Sequence, residues 1–88
     1  MTSEDARLLQ CSINNVVRLH CTDGEVIVGK IDTVDVEDGE VVYEMLSTTD
    51  ESKYEKFDRQ PAYLIRFQEI VSVEVLTAYG KGETNPPQ

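Results

Sequence analysis

Few side chains in this sequence could do chemistry: one histidine, His20, two cysteines, Cys11 and Cys21, and a dense run of carboxylates between Asp32 and Glu44. Nucleophilic catalysis needs a nucleophile, a base and an orienting group brought together. His20 sits in an alternating apolar stretch with no Ser or Cys motif around it. It therefore reads as a surface or interface histidine, not as a base. The cysteines have no further Cys or His pairs near them, which fits reduced, partly buried thiols better than a zinc site or a disulfide framework. Glycine-rich phosphate loops are absent, so neither an enzyme nor a cofactor is expected.

The carboxylates are the strongest local feature. Asp32, Asp35, Glu37, Asp38, Glu40 and Glu44 follow Lys30 with no base among them. A calcium loop would need oxygen ligands at alternate positions before its turn glycine, and counting back from Gly39 puts Val36 and Val34 there. The run therefore reads as a solvated acidic turn, and no metal is expected. Across the chain 17 acids oppose 8 bases, a net charge of −9. That balance repels a polyanion unless the few bases are gathered in one place, and it favours a basic partner.

The elements that would position these residues are mostly strands. Ser3 to Cys11 reads as a short helix, with Ser3 as N-cap and acids in the first turn; Asn14 and Asn15 end it. From Val16 the apolar period becomes two: Val17, Leu19 and Cys21 share one face, Arg18, His20 and Thr22 the other. Asp23-Gly24 marks a hairpin turn. A long second strand runs from Glu25 to Asp35, interrupted by Gly29, a glycine of the kind that lets a small sheet bend. Asp38-Gly39 turns the chain into a third strand, Val41 to Leu46, either face of which could point inward. Residues 47–60 are polar and aperiodic and form a variable connection closed by Pro61. Ala62 to Leu76 divides near Gln68-Glu69 into a fourth and a fifth strand. The expected organisation is a lead-in with helix over 1–15, one β-domain over 16–76 and a disordered tail over 77–88. No run is apolar enough for a membrane helix and no signal pattern opens the chain, so a cytoplasmic protein is expected.

The order of these parts resembles the Sm-like family (LSm and bacterial host-factor-like proteins) over about residues 8–76. Val17-Arg-Leu-His-Cys-Thr-Asp-Gly24, then Gly29-Lys-Ile31 and Val34-Asp35, is similar to the first Sm motif. Leu64-Ile65-Arg66 and Ile70-Val71-Ser72-Val73 resemble the two ends of the second. The resemblance implies a mostly β fold: a short N-terminal helix and a five-stranded, strongly bent antiparallel SH3-like barrel. It also implies subunits that join fourth strand to fifth in a ring, with RNA bound near the pore.

An open five-stranded barrel leaves two edges that seek backbone partners, which is the physical reason for ring formation. The edge candidates are Tyr63, Leu64, Ile65 and Phe67 on one side and Ile70, Val71, Val73 and Val75 on the other. The competing reading is a monomer in which these strands complete the barrel. The base-binding pattern of the family is only partly kept: Asp35 and Arg66 match, whereas Glu37, Gly39 and Phe67 replace its stacking residue, its Asn and its Gly. Stacking and amide hydrogen bonds give most single-strand affinity, so RNA is disfavoured. The expected function is a non-enzymatic homo-oligomer of about five to eight subunits, an assembly or protein-interaction module. The alternative is an RNA-binding ring using Arg66, Phe67, Asp35 and His20.

Overall fold

The computed structural model describes residues 1–54 and 62–77. The helix, α1 (Ser3–Gln10), is capped by Thr2 and not by Ser3: the Asp5 amide donates to Thr2 Oγ1 at 3.1 Å, and the Thr2 amide donates to Asp5 Oδ2 at 3.1 Å. This reciprocal box satisfies two end groups that Ser3, already helical, cannot reach. Leu9 carries the helix onto the core and is fully buried, whereas Cys11 is exposed, not partly buried as its composition class suggested. Asn14 then takes a left-handed turn at φ 73°, a conformation Asn tolerates. Its amide donates to the Ile31 carbonyl at 2.7 Å, which starts the first strand alongside the second.

Strand β1 (Val16–Cys21) buries Val17, Leu19 and Cys21 as the alternation requires. Gly24, at φ 93°, and an Asp23 carboxylate that accepts the Glu25 amide make the turn into β2 (Val26–Asp35). β2 pairs with β3 (Glu40–Thr48), and the register slips between Val28 and Gly29 and again between Ile31 and Thr33. At Gly29 the strands approach too closely for a side chain. A Cβ there would lie 2.8 Å from the Glu44 carbonyl oxygen and 2.8 Å from the Tyr43 ring. In β3 it is Val41, Tyr43 and Met45 that face inward, which settles the face left open by the sequence.

β3 extends through Thr48, two residues into the segment read as a connection, and Glu51–Lys53 form one 3-10 turn. Residues 55–60 of that connection, with Pro61, and the tail beyond Thr77 lie outside the described residues. β4 (Ala62–Arg66) leads through a 3-10 turn at Phe67–Glu69 into β5 (Ile70–Thr77). The strands form one antiparallel sheet in the order β4-β3-β2-β1-β5. Its inner faces enclose a single core built on Leu9, Leu19, Ile27, Ile31, Tyr43 and Ile70. Among the described residues no ladder joins β4 to β5, so both remain borders of the sheet. No helix among them is long and apolar enough to cross a membrane.

Candidate functional site

Three of the four residues read as RNA-binding meet at one end of the sheet. Asp35 ends β2 and organises the acidic turn: its carbonyl accepts the Gly39 amide at 2.8 Å and its Oδ1 accepts the Asp38 amide at 3.1 Å. Gly39 adopts φ 69°, the left-handed conformation the turn needs. Its carbonyl accepts the Phe67 amide at 2.8 Å, and a Cβ placed on Gly39 would lie 3.7 Å from the Phe67 side chain. The ring thus rests against the turn and on the core, half-buried. Arg66 pairs across β3 with Glu40, and its Nη2 stands 3.9 Å from Glu40 Oε2. An arginine and an aromatic ring therefore lie beside the turn, within a field of carboxylates.

His20 does not join them. It pairs with Val26 at the opposite end of β2, and its Nε2 lies 3.1 Å from Glu74 Oε1. Arg18 Nη1 reaches the same oxygen at 2.8 Å. Arg18 and then His20 hold the Glu74 carboxyl below its ordinary range. This group lies on the outer face of β1 and β5, because Arg18 and His20 alternate with the buried Val17 and Leu19.

The edge residues divide by side-chain direction. Leu64, Val71 and Val75 are exposed, Tyr63 and Phe67 half-buried, and Ile65, Ile70 and Val73 belong to the core. The last three can serve an edge contact only through their backbone.

One polar site escaped the sequence reading. Glu25, whose side chain is only 1% exposed, accepts hydrogen bonds from Lys53 Nζ at 2.8 Å, Tyr54 Oη at 2.7 Å and the Thr48 hydroxyl. Burial pushes its carboxyl up, yet Lys53, Thr48 and Tyr54 together outweigh burial and hold it below the usual range. Burial, and then the Glu25 carboxylate that accepts its hydrogen bond, push the Tyr54 hydroxyl up, and its ring meets Tyr63 edge-on at 5.1 Å. The available signal was parity: Glu25 shares its face with Ile27 and Ile31.

Cys21, Asp23 and Glu25 bring their ligand atoms within 4.8 Å of one another. The positive charge there is already supplied by Lys53, which donates to Asp23 Oδ2 at 3.0 Å as well as to Glu25. Burial, with Glu25 and Asp23 beside it, pushes the Cys21 thiol up to about 11, so it stays protonated at neutral pH and is a poor nucleophile or ligand. An open pocket of about 270 Å³ adjoins this group, lined by Cys21, Thr22, Asp23, Lys53, Ile65 and Glu69. His20 is not on its wall, so the pocket holds acids and a lysine but no histidine to act as a base.

No protein-family model matches the chain, and no curated protein matches it in sequence. Its shape does match the crystal structure of an SmAP (LSm) protein from Methanococcus vannielii, with a TM-score of 0.61 and 22% identity. The match covers 83% of this chain and 96% of that one. An N-terminal helix on a bent five-stranded antiparallel sheet, superposed on that protein over nearly its whole length, gives this chain the Sm-like fold.

Proposed function

We propose that the protein is a non-enzymatic, cytoplasmic Sm-like module that assembles with copies of itself by pairing the β4 border of one with the β5 border of the next, in rings of about five to eight subunits. The observation that carries the reading is the strand order, which leaves β4 and β5 at opposite borders with no ladder between them among the described residues. Each border offers unpaired backbone groups beside exposed apolar side chains, Leu64 on β4 and Val71 and Val75 on β5. Joining the borders satisfies the backbone and covers the apolar surface together. The acidic turn would keep such an assembly soluble or attract a basic protein partner. Native mass spectrometry at low micromolar concentration tests this: a discrete oligomer is expected, and a strict monomer would sink the reading.

A second reading, RNA binding, is favoured by the convergence of Arg66, Phe67 and Asp35 at one end of the sheet. It is opposed by the Glu40 carboxylate beside Arg66 and by the seating of Phe67 against Gly39. Fluorescence titration with short uridine-rich and adenine-rich oligonucleotides separates the two. Salt-sensitive binding that Arg66→Ala abolishes would support RNA, and no binding at low salt would remove it.

A further inference from the structure

The two borders carry opposite single charges. The only charged residue of β4 is Arg66 and the only one of β5 is Glu74. Both side chains point to the outer face, 57% and 53% exposed, beside the buried Ile65 and Val73. Among the described residues of its own chain Arg66 has only the distant Glu40, at 3.9 Å. Glu74 is held in place by Arg18 and His20 through one oxygen, Oε1, which leaves Oε2 for another donor. A carboxylate fixed by one oxygen and an underused guanidinium are complementary.

A ladder that continues the sheet from one copy to the next keeps the core faces on one side. Arg66 and Glu74 of neighbouring copies therefore lie on the same outer face, and arginine is long enough to reach an opposite or diagonal neighbour. Symmetric joining would instead face each border with a copy of itself, whose single charge has the same sign, so neither Arg66 nor Glu74 would gain an ion-pair partner. We propose that Arg66 of one copy pairs with Glu74 of the next, and that this contact selects head-to-tail joining of β4 to β5 over symmetric joining of like borders. The inference rests on the self-assembly reading and adds to it the reason for a ring over a two-fold dimer, since only head-to-tail contacts propagate.

The test is charge reversal in trans, read by native mass spectrometry, with circular dichroism checking that each variant is folded. R66E alone and E74R alone each place like charges at every junction and are expected to run as the 9.9 kDa single chain. In an equimolar mixture a ring that alternates the two variants makes every junction complementary again, so an even-numbered oligomer containing them in equal numbers is expected. If E74R loses its fold beside Arg18, the variant R18E/E74R keeps the internal pair while still reversing the border. Single variants that assemble like the parent, or folded variants whose mixture stays monomeric, overturn the ion pair and leave self-assembly standing. A monomeric parent protein overturns both.

Discussion

The two ends of β2 use carboxylates in opposite ways. Next to its first residue, Glu25 is shut away from water and held by an ammonium and two hydroxyls, and it ties the β1–β2 turn to the segment after β3. At its last residue, Asp35 opens a turn whose Glu37 and Asp38 side chains stand in water. Asp35 itself shapes that turn through the Asp38 amide. A carboxylate with enough donors is a structural part even when buried, whereas one without them acts at a distance through its field. Gly29 lies between the two, where the strand bends.

The sharpest way to break this arrangement is at the bend. Gly29→Ala adds one carbon against a backbone carbonyl that cannot swing away, so the β2–β3 pairing must open. A loss of about 3 kcal/mol is expected, a fall in Tm of roughly 15 °C. A thermal melt close to that of the parent would mean the strands approach less tightly than described.

The next effect isolates the buried end. Glu25→Ala removes the carboxylate to which the Tyr54 and Thr48 hydroxyls donate and leaves Lys53, itself half in water, paired with Asp23 alone. About 2 kcal/mol should be lost, with faster hydrogen exchange in the amides around 48–54. The same group predicts an acid dependence. Its folded pKa lies below the ordinary 4.5, so its stabilisation is complete above that value and is lost as pH falls through the lower, folded one. Glu25→Gln should lower stability at neutral pH and flatten the decline between about pH 5 and pH 3. An unchanged acid profile would assign the acid response to other carboxylates.

How far the sequence foretold these two ends follows from the physics of each. Strand alternation and glycine turns act locally, so β1, both turns and the bend at Gly29 were legible, as was the Sm-like order of parts. The N-cap was misplaced by one residue because Ser3 and Thr2 have the same chemistry and only the position of Asp5 decides between them. The face of β3 was illegible because Val42 and Leu46 are as apolar as Val41 and Met45; closure against Gly29 made the choice. Of the candidate RNA residues, Asp35, Arg66 and Phe67 come together because β3 pairs with β4. His20 stands apart because it lies level with Val26, the far end of β2. The Glu25 group depends on Lys53 and Tyr54, which a polar connection brings back across the sheet, a long-range contact that no local pattern encodes.

The smallest expected effect belongs to the exposed end, and there stability and binding should part. Glu37→Gln with Asp38→Asn removes two charges whose side chains are solvated, and it spares Asp35, whose carboxylate and carbonyl shape the turn. The change in folding free energy should stay within about 0.5 kcal/mol, since solvated surface positions rarely contribute more. The field beside Arg66 changes more. Two negative charges roughly 8 Å from a bound phosphate each oppose it by about 0.5 kcal/mol in water, so any residual affinity for an oligonucleotide should rise about fivefold at low salt and lose that gain as salt is added. Equal affinity of variant and parent would show that the turn does not set the response to polyanions. The acids would then matter only for solubility or for a basic partner.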